Sequence, residues 1–117
     1  QVSKYSSTGV YSVIAGLSGT SGYLDGTGTA ARFNVPAGIT VDANGNLYIT
    51  ETVNNKIRKI TAAGVVTTIA GGNAGFVDGI GGAALFDAPI AITGDFANNT
   101  VYVADFNNSK IRKIIIE

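Results

Sequence analysis

Short runs in which apolar and polar residues alternate predict β-strands along the chain. The runs Gly38–Asp42 and Asn46–Glu51 are rich in β-branched and aromatic residues, and Asn44-Gly45 between them supplies the positive φ that a tight hairpin needs. Two further runs, Lys56–Thr61 and Val65–Ala70, follow after polar or glycine-containing turns. The pattern predicts a four-stranded antiparallel meander, whose strands are called A, B, C and D in chain order.

The same unit occurs a second time. Residues 23–36 recur as residues 76–89 at an offset of 53, and Lys56–Ile60 recurs as Lys110–Ile114 at an offset of 54. The second copy predicts further strands A, B and C at Ile90–Gly94, Thr100–Asp105 and Ser109–Ile116.

One more D-type strand is predicted, and it precedes the first copy. Residues 9–16 match residues 64–71 at an offset of 55, which predicts a strand at Val10–Ala15. Because strand D leads into the next unit, this strand is expected to complete a unit that lies before the first copy. The second copy is therefore expected to lack a strand D of its own.

The order of short motifs in the first copy is specific. Asp-Gly-x-Gly-x-x-Ala-Arg-Phe-x-x-Pro-x-Gly-Ile spans residues 25–39, and Asn-Leu-Tyr, Asn-x-Lys-Ile-Arg-Lys-Ile and Gly-Val-Val-Thr-Thr-Ile-Ala-Gly follow in that order. This order resembles the NHL repeat, and the resemblance covers residues 9–117. The second copy departs from it at strand A, where Pro-x-Gly-Ile becomes Pro89-Ile-Ala-Ile92. The resemblance implies four-stranded β-propeller blades, in a family whose members most often form six-bladed interaction platforms.

We therefore expect an all-β fold, a β-propeller of four-stranded antiparallel blades with two blades per chain. Residues 1–117 would form one unit: 9–16 the outer strand of a neighbour's blade, 17–71 the first blade with its inter-blade loop, and 72–117 the second blade without strand D. Two blades cannot close a ring and would leave apolar sheet faces in water.

A closed head-to-tail ring would cover those faces. Three copies give six blades, so a homotrimer with intermolecular strand exchange is the expected assembly, and four copies would give eight blades. The exchange would pair Val10, Ser12 and Ile14 of one copy with Lys110, Arg112 and Ile114 of the next.

Composition narrows the chemistry. The chain has 8 Lys+Arg, 8 Asp+Glu, no His and no Cys, which excludes Cys/His zinc sites, an imidazole base, a thiol nucleophile and a disulfide. A net charge of zero does not favour nucleic acid or an anionic membrane as partner. We expect no catalytic residue, no metal and no cofactor. The localisation stays open, with a secreted or cell-surface bacterial protein favoured.

Several repeated residues are interpreted as structural. Phe33 and Phe86 are expected to pack between blades beside a short helical turn, and Asn54 and Asn108 to cap the B–C turns. The basic residues of strand C could form an RNA-binding stripe or an ion-paired structural one. The zero net charge and the acidic residue that ends each strand B favour the ion-paired interpretation.

The D–A loops and B–C turns share one face of a propeller, and that face carries the candidate ligand-binding residues. These are Tyr23, Arg32, Thr52, Val53, Phe76, Phe106 and Asn107. Long loops that present aromatic side chains are the better binding surface, since the turns on the opposite face are short.

Two function classes stay open. The first is a binding propeller for a protein, peptide or glycan, and the second is a structural segment of a larger NHL propeller. A calcium-dependent hydrolase or lactonase and an RNA-binding NHL domain are less favoured.

Overall fold

The computed structural model describes residues 1–116, and Glu117, the last residue of the predicted second blade, lies outside the described residues. The strands are β1 (Val2–Tyr5), β2 (Tyr11–Ala15), β3 (Gly26–Thr27), β4 (Pro36–Val41), β5 (Leu47–Glu51), β6 (Lys56–Ile60), β7 (Val65–Gly71), β8 (Pro89–Asp95), β9 (Thr100–Asp105) and β10 (Lys110–Ile115). Single turns of 3-10 helix span Gly28–Ala30, Gly81–Ala83, Phe96–Asn98 and Phe106–Asn108. In this part of the chain, no helix has the length and apolar character needed to cross a membrane.

The first repeat copy forms a five-stranded antiparallel sheet, here called the central sheet, in the order β3-β7-β6-β5-β4. The predicted strands A to D are confirmed as β4 to β7. At the A–B turn Gly45 has a φ of 83°, and its N–H donates to the carbonyl of Asp42 at 3.2 Å. The pattern does not predict β3, in which two residues of the long D–A loop pair with the start of β7.

The second copy forms a three-stranded antiparallel sheet, here called the C-terminal sheet, in the order β8-β9-β10. Its predicted strands A, B and C are confirmed. The turn between β8 and β9 is the 3-10 turn Phe96–Asn98 rather than an Asn-Gly hairpin, because one residue is inserted there. Among the described residues, the edge of β10 that faces away from β9 pairs with no strand.

The N-terminal residues form a two-stranded hairpin, β1–β2, of which only the second strand was predicted from the sequence. The predicted strand is present as β2, but the edge that was assigned to a second copy is paired within the chain, with Ser12 opposite Lys4. The repeat comparison misses β1 because Gln1–Tyr5 retains only the second lysine of Lys56–Ile60. Exchange with another copy would require β1 to leave β2.

Two apolar cores lie between the sheets. The first joins the hairpin to the central sheet and contains Val2, Ala15, Ala31, Phe33, Ile49, Ile60 and Val66. The second joins the central sheet to the C-terminal sheet and contains Ile57, Ala70, Ala84, Phe86 and Val103, with Ile114 packed against it. Six residues of the first core have counterparts in or against the second core at offsets of 53–55 residues. The sequence repeat therefore produces the same packing at both interfaces between sheets. Phe33 and Phe86 are 4% and 1% exposed, which confirms their predicted packing.

The strands β4 and β8 approach each other closely at Gly38. A Cβ atom on Gly38 would lie 2.8 Å from Cα of Ala91 and 2.9 Å from Oγ1 of Thr50. These distances are shorter than van der Waals contact, so the packing requires glycine here. Ala91, the repeat counterpart of Gly38, carries a side chain because it is exposed.

Candidate functional site

The candidate aromatic residues of the D–A loops are held in contacts within the chain. Nζ of Lys56 lies 4.6 Å from the centroid of the Tyr23 ring, and the Tyr23 hydroxyl is 2.8 Å from Oγ1 of Thr68. Phe76 occupies the equivalent place in the second copy, 5.3 Å from Nζ of Lys110. Each ring therefore covers a cation of strand C with one face and stays about half exposed.

Three polar candidates are hydrogen-bonded locally. Arg32 donates to two carbonyls of its own loop. Oγ1 of Thr52 donates to the carbonyl of Pro89 at 3.0 Å and so joins the central sheet to the C-terminal sheet. Asn107 donates through Nδ2 to Oδ1 of Asp87 at 3.0 Å and stays exposed at the surface.

Two asparagines fix the B–C turns, as predicted. Nδ2 of Asn54 donates to Oε1 of Glu51 at 2.8 Å and to the carbonyl of Gly22 at 2.9 Å. Asn108 makes the same pair of bonds in the second copy, with Asp105 at 2.7 Å and with the adjoining D–A loop. Each B–C turn is therefore tied both to its own strand B and to the neighbouring loop.

Apolar side chains project from these fixed turns. Val53 is 53% exposed on the first turn and Phe106 is 63% exposed on the second. Two further exposed residues, both in the D–A loops, were not predicted from the sequence: Val35 at 52% and Ile80 at 93%. The exposure of Ile80 could have been predicted from the repeat, because the first copy has the polar residue Thr27 at the equivalent position.

Two hydrogen bonds through Ala88 link the two B–C turns. Oδ1 of Asn55, on the first turn, accepts from the backbone N–H of Ala88 at 2.8 Å. The carbonyl of Ala88 accepts in turn from the N–H of Phe106, on the second turn, at 3.3 Å. These bonds join the first B–C turn, which carries Thr52 and Val53, to the second, which carries Phe106 and Asn107.

The arginines of strand C are buried and ion-paired, which confirms their structural interpretation. Nη1 of Arg58 is 2.7 Å from Oε2 of Glu51, and Nη2 is 3.0 Å from Oδ1 of Asp25. The second copy repeats this arrangement around Arg112, with distances of 2.8 and 2.9 Å. The loop aspartates were not predicted from the sequence as partners, although the repeated Asp-Gly-x-Gly motif contains them.

A cavity of about 150 Å³ lies on the opposite face, whose short turns were predicted to be the poorer binding surface. It is lined by Asp42, Ala43, Asn44, Tyr48, Phe96, Asn99 and Ile116. The rings of Tyr48 and Phe96 stack across the two sheets with centroids 5.4 Å apart. Nowhere in residues 1–116 do three or more His, Cys, Asp or Glu side chains gather closely enough to hold a metal ion.

Asp42 and Tyr48 perturb each other's titration beside this cavity. Burial acts to raise the pKa of the Asp42 carboxyl, but hydrogen bonds from Asn46, Asn44 and Tyr48 outweigh it and lower the pKa below its usual value. Burial raises the pKa of the Tyr48 hydroxyl, and the negative charge of Asp42 adds to that effect. The pair is therefore most stable as a carboxylate and a neutral phenol.

Residues 33–60 match the family model of the NHL repeat. The chain is also 40% identical over 94 residues to "Protein SUPPRESSOR OF QUENCHING 1, chloroplastic" of Arabidopsis thaliana. That alignment covers 77% of this chain and 9% of the plant protein, so the chain spans a small part of its length.

Solved structures share the fold over nearly the whole chain. A Bacteroides thetaiotaomicron protein of unknown function superposes with a TM-score of 0.89 at 30% identity, covering 98% of this chain and 30% of the other. Auxiliary nutrient binding proteins from B. thetaiotaomicron and Bacteroides ovatus give TM-scores of 0.82 and 0.80 at 26% and 30% identity, each covering 95% of this chain and 31% of the other. The chain therefore contains an NHL repeat at residues 33–60, and its all-β fold is that of NHL-type propeller proteins.

Proposed function

We propose that the chain is a non-catalytic binding module for a protein, peptide or glycan, and that the surface around Val53 and Phe106 makes the contact. The observation that carries this proposal is the exposed ring of Phe106, 63% accessible on a turn whose backbone is fixed by Asn108. A rigid aromatic side chain gives contact area at a small entropic cost, which suits an interface anchor.

The chemistry around Phe106 favours a ligand with apolar and amide groups. Val53 is apolar, and Asn107 offers hydrogen-bonding groups beside Phe106. The guanidinium groups of Arg58 and Arg112 are buried against carboxylates and carbonyls, so they do not present charge to phosphates. A polypeptide segment fits this surface better than RNA. Two of the structural neighbours are nutrient-binding proteins by name, which supports a binding role in this fold.

A repeat-matched substitution tests the surface. In the first copy Thr52 stands at the position of Phe106, so Phe106→Thr replaces the ring by a residue that the same turn already accommodates. The control is Ile80→Thr, which removes a 93% exposed side chain and installs its own counterpart, Thr27.

The probes are a peptide array and a glycan array, read with the wild-type chain and both variants. We expect peptides that bind the wild type and Ile80→Thr equally and lose at least tenfold in affinity with Phe106→Thr, about 1.4 kcal/mol. Binding that survives Phe106→Thr, or binding to glycans alone, would contradict the assignment of this surface to a polypeptide.

We also propose that the two-blade chain completes a ring by self-assembly, with a trimer of six blades favoured. The chain covers 30–31% of the three solved neighbours described above, so three such units would fill the length of each. Ile111 and Tyr102 are 73% and 37% exposed, whereas their first-copy counterparts Ile57 and Tyr48 are buried by the next sheet. Light scattering is the test: a mass near three times 11.9 kDa supports the ring. A monomer at every concentration favours a segment of a larger propeller.

A further inference from the structure

The N-terminal hairpin has the geometry of the β6–β7 hairpin. A bulge interrupts the pairing at the same place in both, between Val2 and Ser3 in one and between Ile57 and Arg58 in the other. The glycines that turn the two hairpins have φ of 82° and 86°. Thus β1 is a C-type strand and β2 is a D-type strand.

A second C-type strand also matches β2. Lys110–Ile114, in β10, is identical in sequence to Lys56–Ile60, in β6. The strand β6 pairs on both edges, with β5 and β7, whereas β10 pairs with β9 alone among the described residues. The edge of β2 that pairs with β1 could therefore pair with β10 in the same register.

The exposed face of β10 has a complementary surface elsewhere on the chain. Ile57 is fully buried against Phe86, but its counterpart Ile111 is 73% exposed. Phe33, the counterpart of Phe86, is covered by Val2. Val2 therefore lies where Ile111 of another copy would pack.

The ion pairs decide which C-type strand would give way. Ser3, Arg58 and Arg112 occupy the same strand position in β1, β6 and β10. Arg112 lies 2.8 Å from the fully buried carboxylate of Asp105 on β9. If β1 replaced β10 beside β9, Ser3 would leave this carboxylate buried without a cation, which is strongly unfavourable. Hence β10 stays on β9, and β1 is the strand that yields.

We propose that β1 is an in-chain competitor of assembly: it occupies the edge of β2 and the apolar surface on Phe33 that β10 of a second copy takes when it displaces β1. This inference rests on the ring assembly proposed above. β1 gains from being part of the same molecule, which gives it a high effective concentration. β10 is the longer strand and has Ile111 where β1 has Val2. Because β10 comes from a second copy, assembly is favoured as the protein concentration rises.

A disulfide lock tests the competition in the full chain, which has no cysteine of its own. Lys4 faces Ser12 in the hairpin, so oxidation of Lys4→Cys/Ser12→Cys would hold β1 on β2. We expect the oxidised variant to stay at 11.9 kDa at concentrations where its reduced form assembles. Equal assembly of the oxidised and reduced forms would overturn the role of β1 but not the ring. Monomers in both forms would overturn the ring as well.

A second cysteine pair, on β2 and β10, tests the strand pairing between two copies. Lys59 faces Thr67 in the central sheet, and the repeat equivalents are Lys113 and Ser12. Oxidised Ser12→Cys/Lys113→Cys is expected to give cross-linked dimers and trimers on a non-reducing gel, which Ile111→Ser should abolish. Deletion of residues 1–5 should lower the concentration for half-assembly at least tenfold. Cross-links confined to the monomer, or no change on deletion, would count against the proposal.

Discussion

Arg58 and Glu51 form an ion pair from which solvent is excluded: Nη1 and Oε2 are 2.7 Å apart, and neither side chain has exposed surface. Removing one partner leaves a buried charge without compensation, which costs about 3–5 kcal/mol. We therefore expect Arg58→Ala to lower the free energy of unfolding by that amount in urea titrations followed by circular dichroism.

The matched control for this substitution is Arg32→Ala. Arg32 is half-buried and donates only to carbonyls of its own loop, so its removal is expected to cost about 1 kcal/mol or less. Equal losses for the two variants would show that the buried pair has no special role.

The close approach of β4 and β8 predicts that Gly38→Ala destabilises the protein. The added Cβ would lie 2.8 Å from Cα of Ala91, so the two strands must separate, at a cost of about 1–3 kcal/mol. The reverse change at the repeat counterpart, Ala91→Gly, meets no such contact and is expected to cost about 0.5–1 kcal/mol through backbone entropy. Thermal unfolding measures both, and a higher melting temperature for Gly38→Ala would contradict the packing argument.

Backbone strain at Val35 predicts a stabilising substitution. Val35 has a φ of 53°, and a β-branched residue in this left-handed region is disfavoured by about 1–2 kcal/mol. Asparagine tolerates the region, so Val35→Asn is expected to raise the free energy of unfolding by about 1 kcal/mol. Val53→Asn is the control, since Val53 is equally exposed but is not among the residues with positive φ. A similar gain at both positions would attribute the effect to lost surface hydrophobicity.

The pair Asp42 and Tyr48 predicts a loss of stability at both ends of the pH scale. The pKa of Asp42 is lowered in the folded state, so its contribution is present above the unfolded pKa and is lost as the pH falls through the folded pKa. The pKa of Tyr48 is raised, so its contribution is present below the unfolded pKa and is lost as the pH rises through the folded pKa.

Unfolding titrations across the pH range should show an acid limb and an alkaline limb, in which the free energy of unfolding falls toward low and high pH. Two variants separate these limbs. Asp42→Asn should flatten the acid limb, and Tyr48→Phe should flatten the alkaline limb while keeping the aromatic stack on Phe96. An alkaline limb that is unchanged in Tyr48→Phe would assign the loss to another tyrosine or to a lysine.

Local patterns and repetition suffice to predict most strands of this fold. Asn44-Gly45 marks the A–B hairpin, and the repeated segment Lys110–Ile114 places β10. They fail for β1, because Ser3 replaces the arginine that makes strand C recognisable. Pairing with β2 uses backbone groups, the apolar contact of Val2, and contacts of Tyr11 with the Tyr5 ring and the Ser3 hydroxyl. The first copy has Val66 in place of Tyr11, so these contacts leave no repeated signal in the sequence.

The candidate surface was predicted in part, for a related reason. The B–C turns are local, and the exposure of Val53 and Phe106 follows from turn position. The contacts of Tyr23 depend on Lys56 and Thr68, which are more than thirty residues away in sequence. The pairing of Asp25 with Arg58 is equally distant. Side-chain contacts of this range follow from how loops fold back on the sheet, which periodicity does not encode.

The apolar cores lie between sheets, and each takes residues from two consecutive sheets. The central sheet cut out of the chain would contain half of each core and complete neither, so we expect it not to fold alone. The free energy of folding then grows with the number of junctions, as in a linear array with nearest-neighbour coupling. Each added copy of the 53–55-residue period adds one interface between sheets to the array. Closing the array into a ring adds one further interface without any additional residue.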